Sequence, residues 1–108
     1  MNLRFETSED QVYHQLARAA GLPFVDARSL RVSPGIRQKL PPEMAREKRC
    51  IPLIFNSRRI VLVVDDPFTA LTTQPFSILR ELGLQDSRCV EFALAAPTPL
   101  GECLERWY

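Results

Sequence analysis

Two apolar runs in the middle of the chain, joined by a short polar link, predict a β-hairpin. Cys50 to Phe55 and Arg59 to Val64 are rich in β-branched and other apolar residues, and Asn56-Ser57-Arg58 forms a turn-prone link of hairpin length. Ile60 to Val64 is apolar at every position, as a strand that is covered on both faces requires. We therefore predict an antiparallel pair whose second strand is the centre of the sheet.

A third strand is predicted near the end of the chain. In Cys89 to Leu94, the apolar residues Val90, Phe92 and Leu94 alternate with Glu91 and Ala93, which indicates one buried and one solvated face. Asp65-Asp66-Pro67 should end the central strand, because proline has no amide hydrogen and aspartate favours turns.

The first predicted helix runs from about Glu9 to Ala20. Ser8 and Gln11 form a capping box, and Gly21 offers the left-handed residue that commonly ends a helix. Apolar residues at helical spacing predict a buried stripe on this helix: Val12, Leu16, Ala19 and Ala20.

Four further short helices are predicted from caps and spacing. They cover Gly35 to Leu40 after the Ser33-Pro34 start, Glu43 to Arg49, Pro75 to Gly83, and the segment capped by Thr98 and Pro99. Three of them have a predicted inward face, formed by Met44 and Ala45 in the second of the four, by Phe76, Leu79 and Leu82 in the third, and by Leu100, Cys103, Leu104 and Trp107 in the last.

These elements predict one small α+β domain spanning residues 1–108. We expect a three-stranded, mainly antiparallel sheet packed with four to five short helices. Residues 1–7 form a flexible start, residues 8–49 the helical part, and residues 50–108 the sheet with its helices. The length of 108 residues suits a single hydrophobic core.

Composition excludes several classes of function. The chain is 45% hydrophobic and 25% charged, which is ordinary for a globular domain, and its formal net charge of +1 gives little attraction for nucleic acid. Its apolar runs are too short for a membrane span, and its start lacks a signal-peptide pattern, so we expect a cytoplasmic protein. Cys50, Cys89 and Cys103 form no C-x-x-C pair and are interpreted as buried free thiols.

The candidate chemical groups are few. Asp65 and Asp66 are adjacent carboxylates at a strand end, a position that suits either a catalytic or Mg²⁺-binding pair or a simple turn, and the nearby Pro67 favours the turn. His14 is the single histidine and lies off the apolar stripe, so no catalytic or metal residue is assigned. The basic groups Arg28 to Arg31, Arg46 to Arg49 and Arg58-Arg59 are interpreted as a solvated rim rather than an anion site.

Phosphate-binding loops are missing from this sequence. Its four glycines form neither G-x-x-x-x-G-K-[ST] nor G-x-G-x-x-G, so no backbone cradle for a nucleotide is encoded, and we expect no ATP hydrolysis and no cofactor. A non-catalytic domain that binds another macromolecule is therefore the favoured interpretation.

An ordered series of short motifs resembles the N-terminal domain of the type II secretion and type IV pilus assembly ATPases, the secretion-protein-E family. The series comprises Leu16-Ala17, Gly21 to Asp26, Leu40-Pro41, Ala45-Arg46, Ile51-Pro52-Leu53, and the apolar strand that ends in Asp65-Asp66-Pro67. The resemblance covers about residues 8 to 108. The P-loop and metal-binding cysteines of that family lie in later domains, so the resemblance implies an excised or stand-alone N-terminal domain.

The resemblance also implies a partner. In type II secretion this domain docks the ATPase onto the cytoplasmic part of an inner-membrane platform protein, which would place this chain at the inner membrane through that partner. On the first helix, the face opposite the predicted stripe carries Tyr13, His14, Gln15 and Arg18, which we take as the partner-binding residues.

Two alternatives stay open. A related version of the domain in pilus ATPases binds cyclic di-GMP through motifs that begin Arg-Leu-Gly and end in Gln. Here no Arg-Leu-Gly precedes Ser8, and the position matching the closing Gln is Ala19. The other alternative is a regulatory appendage of an unrelated membrane enzyme, such as a glycosyltransferase.

Overall fold

The computed structural model describes residues 8–72, 75–84 and 89–108. Its helices are α1 Ser8–Ala20, α2 Pro34–Arg37, α3 Pro42–Lys48, α4 Pro67–Thr72, α5 Pro75–Glu81 and α6 Pro97–Trp107. Its strands are β1 Cys50–Phe55, β2 Arg59–Val64 and β3 Cys89–Leu94. The predicted flexible start at residues 1–7 and the predicted inward side chain of Phe76 lie outside the described part.

The three strands form one sheet in the order β1-β2-β3, which confirms the α+β class and the central place of β2. β1 and β2 are antiparallel and pair Cys50 with Val64. β2 and β3 are parallel and pair Arg59 with Cys89, so the sheet is mixed rather than mainly antiparallel. The connection through α4 and α5 is a crossover, which returns the chain to the starting end of β2 and so makes β3 parallel.

The hairpin turn is held by the side chain of Asn56. Its Oδ1 accepts hydrogen bonds from the backbone N–H groups of Arg58 at 2.8 Å and Arg59 at 2.9 Å. β1 lies at the edge of the sheet, where its Pro52 is tolerated, and a register shift falls between Pro52 and Ile54. The predicted link and strand pairing are thus confirmed.

The core lies on both faces of β2, because all five residues from Ile60 to Val64 are buried. From α6, it receives Leu100, Cys103 and Leu104, as predicted. β3 departs from its predicted alternation, since Ala93 is buried together with Phe92 and Leu94. The physical reason is that α1, α4 and α5 all contact β3, so its second half has no solvated face.

Several predicted helix ends are confirmed. Ser33 caps α2 and accepts a hydrogen bond from the N–H of Ile36, and Gly21 and Gly83 have positive φ values of 71° and 74° beyond α1 and α5. α3 ends at Lys48 and is followed by the C-cap residue Arg49, a non-glycine residue at φ 49°. α6 begins two residues earlier than predicted, since its N-cap is Ala96 and not Thr98.

The cysteines differ in their environments. Cys50 and Cys103 are buried free thiols, as predicted, whereas Cys89 is exposed. Burial raises the pKa of the Cys50 thiol to about 12.

Candidate docking surface

The first turn of α1 is attached to α6 by a carboxylate. Glu9 accepts a hydrogen bond from the N–H of Thr98 at 3.1 Å through Oε1 and another from the Thr98 hydroxyl at 3.0 Å through Oε2. Thr98 is the second residue of α6, where free N–H groups and the helix dipole both favour a negative charge. Glu9 therefore caps a helix that lies far away in sequence.

A second carboxylate attaches α1 on its other side. Asp10 is only 4% exposed, and its Oδ2 accepts a short charge-assisted hydrogen bond from Nη2 of Arg28. The backbone N–H and the Nε of Arg28 in turn bond to Oδ1 of Asp26 at 3.0 and 3.1 Å. The hydrogen bond to Asp10 is the main cause that raises the pKa of Arg28. Asp10 and Ala17 are the buried residues of α1.

The apolar residues of α1 consequently point outward. Val12 is 53% exposed, Leu16 is 37% exposed, and Ala19 is also exposed, while Ala20 is half-buried. The prediction that these four residues form the buried stripe is therefore wrong. Residues at i, i+4 and i+7 share one side of a helix, so Val12, Leu16 and Ala19 form an outward-facing apolar stripe.

The four predicted partner-binding residues do not share one surface. Tyr13 is half-buried and packs against the core, and its pKa is raised first by burial and then by the nearby Asp65. The prediction that Tyr13 faces outward is wrong. His14, Gln15 and Arg18 are exposed, and the His14 ring lies 4.9 Å from the Phe24 ring. Sequence periodicity missed this arrangement because the burial of Asp10 depends on its contact with Arg28, 18 residues away.

The adjacent aspartates both have structural partners. Oδ1 of Asp66 accepts a hydrogen bond from the N–H of Phe68 at 2.9 Å at the start of α4, as a turn residue does. Oδ2 of Asp65 accepts one from Nε of Arg49 at 2.6 Å, and Nη2 of Arg49 donates to the Pro97 carbonyl at 3.1 Å. These contacts support the turn interpretation and account for the position of Arg49.

Neither a metal centre nor a membrane-spanning helix is found in the part of the chain that the structure describes. Within residues 8–72, 75–84 and 89–108, no three His, Cys, Asp or Glu side chains are grouped so that they could hold a metal ion. Over the same residues, each helix is too short or too polar to cross a bilayer. The apolar stripe on α1 is the exposed surface from which we argue a docking function.

Comparison with known proteins points to one family. Residues 20–108 match the model of the MshEN domain family. A solved structure of MshE with cdg (cyclic di-GMP) has a TM-score of 0.74 at 24% sequence identity, covering 94% of this chain and 69% of that chain. The N-terminal domain of XpsE has a TM-score of 0.63 at 24% identity, covering 94% and 68%. No curated protein sequence matches this chain.

The fold and the family match define an N-terminal domain of the type II secretion and type IV pilus assembly ATPases. This chain belongs to the MshEN domain family. The resemblance inferred from the motifs is confirmed. The matched region begins at Ala20, so α1 precedes it except for that last residue.

Proposed function

We propose that this chain is a non-catalytic docking domain of such an ATPase, and that the apolar stripe of Val12, Leu16 and Ala19 binds the cytoplasmic part of an inner-membrane platform protein. The observation that carries the proposal is the outward orientation of this stripe on a helix held by two carboxylates. Exposed apolar side chains in a row are costly to a protein in water unless a partner covers them. The proposed partner places the domain in the cytoplasm beside the inner membrane.

The stripe has the spacing of a helical binding face. Val12 and Leu16 lie one turn apart, and Ala19 lies about one turn further along the same side, so a partner can approach closely at that end. The chemistry of the occupant follows from this surface: it should be an apolar face of a partner helix or sheet. Burial of valine and leucine side chains contributes about 1.5 to 3 kcal/mol each when it is complete.

Three of the residues predicted from the sequence can serve as the polar rim of this surface. Gln15 is exposed next to the stripe, and His14 and Arg18 are exposed further round the helix. Protein interfaces commonly combine an apolar centre with a polar rim. Tyr13 is assigned no contact with the partner, because it is half-buried against the core.

The proposal is tested with the double variant Val12→Ser/Leu16→Ser and the purified cytoplasmic domain of the platform protein from the same secretion or pilus system. We expect the affinity to fall at least tenfold, equivalent to about 1.4 kcal/mol, with little change in the melting temperature. Phe68→Ser is the matched control, since Phe68 is 73% exposed on α4 and not on α1. Equal affinities of the double variant and the control would contradict the proposal.

A second candidate is a cyclic di-GMP sensor, and one observation favours it: a similar fold was solved as MshE with cdg. In this chain, Ala19 stands where the cyclic di-GMP motif has its closing Gln, and an alanine side chain cannot hydrogen-bond a guanine edge. Calorimetry with cyclic di-GMP separates the candidates. Saturable heat at micromolar ligand supports the sensor, and its absence leaves docking as the proposed function.

A further inference from the structure

A cleft beside the end of α6 combines aromatic, proline and arginine side chains. Its volume is about 400 Å³, and its lining includes Pro34, Arg37, Gln38, Pro42, Trp107 and Tyr108. Thr98, which contacts α1, lies near the other end of α6. Thr98 and Trp107 are the first and last of ten consecutive residues of α6, and a helix of ten residues is about 15 Å long. This cleft is therefore separate from the apolar stripe.

Arg37 is the central side chain of the cleft. Its guanidinium lies 5.0 Å from the centre of the Trp107 ring, a distance at which a cation is attracted to the aromatic face. The backbone carbonyl of Arg37 accepts a 2.8 Å hydrogen bond from the Tyr108 hydroxyl, which fixes the two segments against each other. The Nε of Arg37 is buried and has no hydrogen-bond partner among the described residues.

A second cleft borders Trp107, so the ring lies between two depressions. This cleft has a volume of about 420 Å³, and its lining includes Arg31, Ser33 and Arg106. Among the described residues, no Asp or Glu side chain lines either cleft. Trp107 therefore has three arginines around it, and no Asp or Glu side chain is in the described lining.

These arginines lack a carboxylate partner, as Arg18 and Arg58 do among the described residues, and what sets them apart is their position around one aromatic ring. Arg28, Arg49 and Arg59 are each paired with a carboxylate. By contrast, none of the described carboxylates forms an ion pair with the three arginines around Trp107. Unpaired guanidinium groups favour a ligand that brings its own negative charge, because charge-assisted hydrogen bonds to carboxylates are the strong ones.

We propose that this surface, the Trp107 cleft, binds an acidic, proline-containing segment of a protein partner. Grooves lined by aromatic side chains recognise extended proline-rich chains, and clusters of arginine recognise acidic motifs. A chain that crosses Trp107 can occupy both depressions, with its proline against the ring and carboxylates near Arg31, Arg37 and Arg106. This inference does not depend on the apolar stripe, which would take an apolar partner face.

The test uses the single tryptophan of the chain as its own reporter. A ten-residue peptide of alternating glutamate and proline is titrated into the protein while Trp107 emission is recorded, with a lysine-proline peptide as the control probe. We expect a saturable change with the acidic peptide only. Raising the salt concentration should weaken it, because the proposed contacts are ionic.

Matched variants locate the binding. Arg37→Gln and Arg106→Gln should each weaken peptide binding at least fivefold, whereas Arg58→Gln, which removes the same charge from the hairpin turn, should change it less than twofold. Arg106 is exposed, so its variant provides the test if Arg37→Gln lowers the melting temperature.

Three outcomes would overturn the inference. One is an unchanged emission up to millimolar acidic peptide, and another is an equal loss of binding in Arg58→Gln and Arg106→Gln. The third is a response to inorganic phosphate or a mononucleotide without any response to the peptide, which would assign the cleft to a small anion. A platform-protein domain that binds the Val12→Ser/Leu16→Ser variant as tightly as the unmodified chain would count against the docking proposal alone.

Discussion

The carboxylate of Glu9 accepts hydrogen bonds from both the N–H and the hydroxyl of Thr98, although the two residues are 89 positions apart in the sequence. This contact joins α1 to the first turn of α6. Together with the buried Asp10, it lets α1 pack through carboxylates, the small Ala17 and the half-buried Tyr13. The larger apolar side chains of Val12 and Leu16 are left for solvent or a partner.

Glu9→Ala should therefore loosen α1 without unfolding the core. A hydrogen bond to a charged group contributes about 1 to 3 kcal/mol, and the lower end suits this exposed pair. We expect about fivefold faster hydrogen exchange at α1 amides. Glu102→Ala, which removes an exposed carboxylate from α6, is the control and should leave α1 protection unchanged. Equal effects of the two variants would show that Glu9 does not hold the helix.

Asp10→Asn tests the other attachment of α1. The substitution keeps the shape of the side chain and removes the charge that Arg28 faces, so the buried position loses its ion pair, and the remaining hydrogen bond to the guanidinium is weaker. We expect the free energy of unfolding in urea to fall by about 1 to 3 kcal/mol. Glu43→Gln at an exposed position of α3 should change it by less than about 0.5 kcal/mol. A similarly small effect of Asp10→Asn would contradict the structural role assigned to Asp10.

Leu62→Ala should be among the costly substitutions. Leu62 is 1% exposed in the middle of β2, and its truncation leaves a cavity, so we expect a loss of about 2 to 5 kcal/mol in denaturant unfolding. Leu16→Ala removes the same atoms from the outward stripe and should cost far less. If both variants lost the same stability, Leu16 would belong to the core and the stripe would not be a free surface.

The thiols should respond differently to labelling and to pH. A thiol reagent should modify Cys89 first and Cys50 only on unfolding, because Cys50 is buried.

The folded pKa of Cys50, about 12, exceeds its ordinary value, so the unfolded chain loses this proton more readily above about pH 9. Stability should thus fall as pH rises from about 9 towards 12. Cys50→Ala should show a smaller fall, and an identical pH profile would contradict the assigned cause.

Local signals in the sequence predicted much of the fold. Neighbouring residues determine three features: the unbroken apolar run of β2, the Asn56 turn and the Ser33 cap. Each was predicted at the position where the structure has it. The direction of β3 was not, because the parallel pairing depends on where a crossover of two helices returns the chain.

The orientation of α1 could not be read from its periodicity for a similar reason. The burial of Asp10 depends on Arg28, which is 18 residues away, and the placement of Glu9 depends on Thr98. Such distant polar pairs leave no local signal. The spacing correctly predicted that Val12, Leu16 and Ala19 share one side of the helix. The assumption that apolar residues face the core then predicted, wrongly, that this side is buried. The Trp107 cleft likewise joins α2 to α6 and has no motif of its own.

The most direct test of the account is a nuclear magnetic resonance titration of the isotopically labelled chain with the unlabelled cytoplasmic domain of the platform protein. The account predicts that the largest shift changes and line broadening fall on the amide and methyl signals of Val12, Leu16 and Ala19, with smaller changes at Gln15. Changes centred on the edge strand β1 or on the hairpin turn, with unchanged α1 signals, would contradict the claim that the outward stripe of α1 is the docking surface.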